Sequence, residues 1–175
     1  MKKMNSFLKV SVLVLFAVVI VSSCKKTEDP YATYTPEREA GLIQEWLATM
    51  ATNKMNIDTT STGLYYIVAE TGLGEKVKSG DSVTVKYTGM FLDGSIFDSS
   101  DYHAADSTYT YLHQDPNSSS RTMIKGWEEG IEAMNKGEKA VFLIPSAKAY
   151  GTTGYGPIPP NTPLLFVIEV INIKP

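Results

Sequence analysis

Residues 82–100 read SVTVKYTGMFLDGSIFDSS, and the fold is decided by how they are read. Residues 82–92 follow a period of two and are rich in Val, Tyr and Phe, the pattern of a half-buried strand. Leu92-Asp93-Gly94-Ser95 then supplies an Asp-Gly hairpin signal. The same period marks 63–70, 139–145 and 164–173, each bounded by turn residues, with Lys78-Ser79-Gly80-Asp81 as a further turn. In the last stretch Leu164, Phe166, Ile168 and Val170 share a face. Between the strands lies one short helix, about 124–134, with Ile124, Trp127, Ile131 and Met134 on one side. Asn135-Lys136-Gly137 ends it. Hairpin-connected strands with one helix packed across them make an α+β fold.

Working outward, a Thr/Ser-rich break at 59–62 separates this domain, 60–175, from a second helix. Thr35-Pro36 reads as an N-cap followed by proline at the first helical position, with Glu37 and Glu39 in the positive first turn. Leu42, Ile43, Trp46, Leu47 and Met50 lie along one face, so 36–53 is expected to be an amphipathic N-terminal helix. Its apolar stripe either packs on the neighbouring domain or forms a homodimer contact.

The polar residues 24–35 read as a tether. Before them, Lys2, Lys3 and Lys9 precede the apolar run 10–21, the basic and hydrophobic regions of a secretory signal, 1–23. The run is too short for a lasting span of ~20 residues. It closes on Val21-Ser22-Ser23-Cys24, which resembles a bacterial lipobox, with Cys24 as the lipidated residue. Cys24 is the only cysteine, so no intramolecular disulfide is available. Removing 1–23 lowers the basic count from 16 to 13 against 19 acids, taking the charge from −3 to −6. An acidic chain without a basic stripe is a poor nucleic-acid partner. Membrane contact would come from the lipid, which places the chain in a bacterial cell envelope.

The common catalytic constellations are missing. His103 and His113 both lie in the polar stretch 99–122 without a metal-ligand partner, and read as solvated loop residues. There is no nucleophile elbow. Gly151-Thr-Thr-Gly-Tyr-Gly156 runs into prolines instead of a helix, so no helix N-terminus meets a phosphate. Glu128 and Glu129 read as a solvated face. An aromatic and aliphatic set on rigid elements remains, with no metal site and no cofactor implied.

Such a set can catalyse rotation about an X–Pro bond, where no bond is broken. The barrier is amide resonance, ~18–20 kcal/mol. The twisted amide has lost conjugation and is less polar, so a dry pocket favours it over the planar ground state. A ten-thousandfold acceleration needs only ~5.5 kcal/mol.

VKYTGMFLDGSIFDSS at 85–100, IKGWEEG at 124–130, AYG at 149–151 and IPPNTPLLFVIEV at 158–170 resemble, in order and spacing, the FKBP-type peptidyl-prolyl isomerases. The resemblance runs from about 63 to 173. It implies an antiparallel sheet of five or six strands curled around the short helix, with a pocket for proline-containing polypeptides between them. Tyr87, Phe97 and Phe166 match the family's pocket-wall aromatics, and Trp127 matches the indole of the floor. Met123 and Ile124 match the pair at the entrance, where the Ile124 N–H would meet a substrate carbonyl. Tyr150 matches the tyrosine whose hydroxyl binds a carbonyl at the rim; Tyr155 and Ile158 lie on the following loop. Asp98 matches a carboxylate whose role is orienting and electrostatic, although it could also cap a turn before Ser99-Ser100. Phe97, Trp127 and Phe166 must in part serve the core.

Two departures bear on the site. Tyr109-Thr-Tyr111-Leu-His113 stands where the family has phenylalanines and a Leu-Gly ending, which puts Tyr109 as a pocket residue in doubt. The connection HQDPNSSSRT, 113–122, is several residues longer than usual and forms a flap that could change which peptides enter. Two functions follow: a lipid-anchored isomerase acting on exported proteins, or a chaperone module that holds prolyl segments without turnover.

Overall fold

The computed structural model describes residues 31–175; the signal segment, Cys24 and most of the tether lie outside the described residues. Helix α1 spans Pro36–Thr52, its start fixed by Pro36 and by the Thr35 hydroxyl, which accepts from the Arg38 N–H at 3.2 Å. Seven strands follow: β1 (Asp58–Thr59), β2 (Tyr65–Glu70), β3 (Ser82–Met90), β4 (Ile96–Ser99), β5 (Tyr109–Leu112), β6 (Lys139–Ile144) and β7 (Leu164–Lys174). Helix α2, Lys125–Ala133, lies between β5 and β6. The strands form one antiparallel sheet in the order β1-β2-β6-β7-β3-β4, with β5 also on β3.

The sheet thus has one strand beyond the expected five or six. The Thr/Ser-rich break is a tight turn, with the Gly63 N–H on the Thr60 carbonyl, and it folds the two residues of β1 back along β2.

Alternation along the central strands supplies two apolar faces. Phe142 and Ile144 of β6 and Phe166, Ile168 and Val170 of β7 meet Trp127 and Ile131 of α2 and its C-cap residue Met134 in the main core. Leu143 and Leu165 point the other way, where Trp46, Ile43, Leu47 and Met50 of α1 cover them. The apolar stripe of α1 is therefore spent on the chain's own sheet, the first of the two alternatives. Trp46, at 9% exposure, is its anchor.

Candidate active site

Strand register carries the site. Tyr87 of β3 pairs with Ile168 of β7, and Gly89 pairs with Phe166 on one side and Asp98 of β4 on the other. Pairing then jumps from Gly89–Asp98 to Met90–Ile96, leaving Phe97 as the extra residue of a bulge. Consecutive strand residues ordinarily point to opposite faces. The bulge lets Phe97 and Asp98 serve the same cavity. Gly89 makes room for it: a Cβ there would stand 2.8 Å from both Phe97 Cζ and Phe166 Cε1.

The cavity, about 500 Å³, is walled by Tyr87, Phe97 and Phe166 and floored by Trp127. The rings meet edge to face: Trp127 lies 5.1 Å from Tyr87 and 5.3 Å from Phe166, and Phe97 lies 5.6 Å from Phe166. Trp127 is 1% exposed. Met123 and Ile124 stand at the mouth, with Tyr150 and Tyr155 stacked opposite at 5.2 Å. Ile124 is the N-cap of α2, with an extended backbone (φ −62°, ψ 150°). Its N–H is one of the donors that a helix start leaves without an intrahelical partner.

Two expected residues stand outside the cavity lining. Tyr109 does not line the cavity; it packs edge-on against Tyr87 at 6.0 Å, with the His103 ring 5.6 Å away. Ile158 is buried in the core, where a two-way bridge with Tyr155 holds it. It supports the loop while Tyr155, 69% exposed, stands at the rim. Gly154 permits that tight turn, with φ +71° and no space for a Cβ against the Ile158 carbonyl at 2.4 Å. Ser119, Arg121 and Thr122 of the flap and Ala149 also line the opening; the only signal for the flap residues was the flap's unusual length.

The polar side of the site is more organised than a lone aspartate. The Tyr87 hydroxyl donates to Asp98 Oδ2 at 2.8 Å, and the Ser99 N–H donates to Oδ1 at 2.9 Å. His103 Nε2 lies 3.2 Å from Asp98 Oδ1 and 2.9 Å from the Tyr87 oxygen. Asp98 thus both turns the local backbone and takes part in the site. Burial, reinforced by Asp98, pushes the Tyr87 phenol far above the ordinary tyrosine range. Burial raises Tyr150 as well, followed by the influence of Tyr155 and Asp98. Both hydroxyls therefore remain donors at neutral pH.

Only His113 departs from the solvated loop residue expected; His103 is exposed on a turn, but it has partners there. The short turn Ser100–Tyr102 brings His103 back against Asp98. His113 is fully buried, with Nδ1 2.7 Å from Glu128 Oε2. Glu128 is equally buried and also accepts from the Tyr111 hydroxyl at 3.2 Å. Glu129 is no solvated face either: Thr60, Thr62 and Lys148 all donate to it. Both glutamates face inward because the β1–β2 turn, β5 and the 146–148 turn crowd α2.

The family model for the FKBP-type peptidyl-prolyl cis-trans isomerase matches residues 74–171, more than half of the chain. The chain belongs to that family. It is 40% identical over 120 residues to the FKBP-type peptidyl-prolyl cis-trans isomerase FkpA of Escherichia coli strain K12, covering 68% of this chain and 41% of that protein. It is 33% identical over 123 residues to the outer membrane protein MIP of Legionella longbeachae, covering 70% of this chain and 49% of that protein. The chain thus spans less than half the length of these curated relatives. The crystal structure of FkpA from Escherichia coli superposes with a TM-score of 0.64 at 33% identity, covering 79% of this chain and 62% of that one. That of AtFKBP13 gives 0.60 at 29% identity, covering 68% and 99%.

Proposed function

We propose that this chain is a peptidyl-prolyl cis-trans isomerase that speeds X–Pro rotation by binding the prolyl amide twisted and desolvated in the aromatic cavity. The observation that carries this reading is the cavity itself. Three aromatic walls and an indole floor enclose it, and the one carboxylate, Asp98, is engaged by Tyr87, Ser99 and His103 at its edge. An apolar enclosure stabilises the less polar twisted amide more than the planar one. Hydroxyl and N–H donors at the mouth, Tyr150 and Ile124, suit the flanking carbonyls of an extended peptide.

The proposal includes the setting. Cys24 carries a lipid after removal of 1–23, and the domain faces exported, unfolded polypeptides within the bacterial cell envelope. The lipobox-like sequence at 21–24 supports this, as does the likeness to the outer membrane protein MIP of Legionella longbeachae. The second reading, a chaperone module that binds prolyl segments without turnover, is favoured by the flap, because its long connection adds Ser119, Arg121 and Thr122 to the cavity lining.

Isomerisation of a short X–Pro peptide, measured beside a binding titration of the same peptide, separates the two. Acceleration well above the spontaneous rate supports the enzyme. Binding with a rate equal to the spontaneous one supports the chaperone.

A further inference from the structure

Helix α1 precedes the family match, yet its first turn and the residue Tyr34 before it are bonded to two segments on either side of Tyr150. Glu39 reaches across to the 146–148 turn, where Oε1 accepts from the Ser146 N–H and Oε2 from the Ser146 hydroxyl, each at 2.6 Å. Just before the helix, the Tyr34 carbonyl accepts from the Asn161 side-chain amide at 2.7 Å. Ser146 and Asn161 then converge on one residue. The Ser146 carbonyl accepts from the Gly151 N–H, and the Gly151 carbonyl accepts from the Asn161 N–H, both at 2.8 Å. Gly151 is thus held on both sides of its backbone by residues that α1 holds in turn. Its chain neighbour is Tyr150, whose ring lines the cavity.

We infer that the first turn of α1 is a positioning element for Tyr150, with Glu39 as its positioning residue. The inference rests on the isomerase reading and adds a control on it from outside the family domain. Bonds to a charged acceptor are short and directional. Two of them at the base of a turn restrict where its last residues sit. Small displacements of a group that meets substrate cost rate steeply. Ser146 is buried, so water does not readily replace Glu39 there.

The test is a cycle between Glu39 and Tyr150 in the full protein. Glu39→Ala should lower kcat/KM about fivefold. Glu39→Gln should keep at least about half the parent value, because its amide can still pair with both Ser146 groups. In a Tyr150→Phe background, which lacks the hydroxyl being placed, Glu39→Ala should cost less than about twofold. Trp46→Leu, which loosens α1 on the sheet without touching the two bonds, should leave kcat/KM unchanged well below its melting temperature. Parent-like activity of Glu39→Ala, or an equal loss in both backgrounds, would overturn the inference. If Glu39→Ala does not fold, Asn161→Gly takes its place. Asn161 has φ +48°, which glycine tolerates, and the substitution removes only the bond to Tyr34. Ring signals of Tyr150 in tyrosine-labelled protein give a readout independent of turnover. If the parent shows no isomerisation, the isomerase reading fails. The brace then stands if those signals move in Glu39→Ala but not in Trp46→Leu, and falls if they stay.

Discussion

Phe97 and Asp98 are adjacent in one strand and yet both serve the cavity, because the bulge opposite Gly89 turns the first toward the second. Their contributions should separate in kinetics. Phe97 packs where the prolyl amide twists, so Phe97→Ala should lower kcat about tenfold while peptide affinity changes less than about threefold. Paired kcat and Kd measurements check this; an equal loss in both would mean that Phe97 binds ground and transition states alike. Asp98 acts through its setting, with His103 and Tyr87 as neighbours. Asp98→Asn and His103→Ala should each lower kcat/KM about threefold, and their double variant little further. Additive losses would show that His103 acts elsewhere. The aromatic residues were legible in the sequence because their motif spacing is local. His103 was not, because its partner is set by a turn whose direction no periodicity encodes.

At the scale of elements, α2 is held by its polar residues as well as by its apolar side. The His113–Glu128 pair joins β5 to α2, and both side chains are fully buried. Removing one partner leaves the other's polar group in the core. His113→Ala should therefore lower stability by about 3 kcal/mol, read from urea unfolding; a loss under about 1 kcal/mol would show that water relieves Glu128. On the neighbouring position, burial works to raise the Glu129 carboxyl, but hydrogen bonds from Lys148, Thr60 and Thr62, with the charge of Lys148, leave it below its ordinary value of 4.5. A depressed carboxyl stabilises the fold above its unfolded value, and that stability is lost as pH falls through the folded one. Glu129→Gln should thus melt below the parent at pH 7, and the gap should close as pH drops below 4.5. Melting curves from pH 7 to 3 check the sign.

For the whole molecule, one sheet carries two separate apolar covers. Helix α2 closes the face that holds the cavity, and α1 closes the other. The anchor remains the chain's proposed link to the membrane. Cys24→Ser should leave the protein unprocessed or released into the soluble envelope fraction. Fractionation of parent and variant after signal removal checks this, and identical membrane association of the two would remove the lipid from the proposal.

The sequence by itself determined the long strands and both helices, and its resemblance to the family named the aromatic residues that the structure gathers at the cavity. Period-two and helical spacing follow from backbone geometry, and they place side chains on faces wherever burial is the only question. The sequence did not place His103 beside Asp98 and Tyr87. Only the tertiary structure decided which polar residues are inside. His113 meets Glu128 and Glu39 meets Ser146 across long stretches of chain, the second pair 107 residues apart. Burying a polar group is costly unless a partner bonds to it. That partner is supplied by topology, through the strand order and the turns that bring distant segments together, and no local pattern records it.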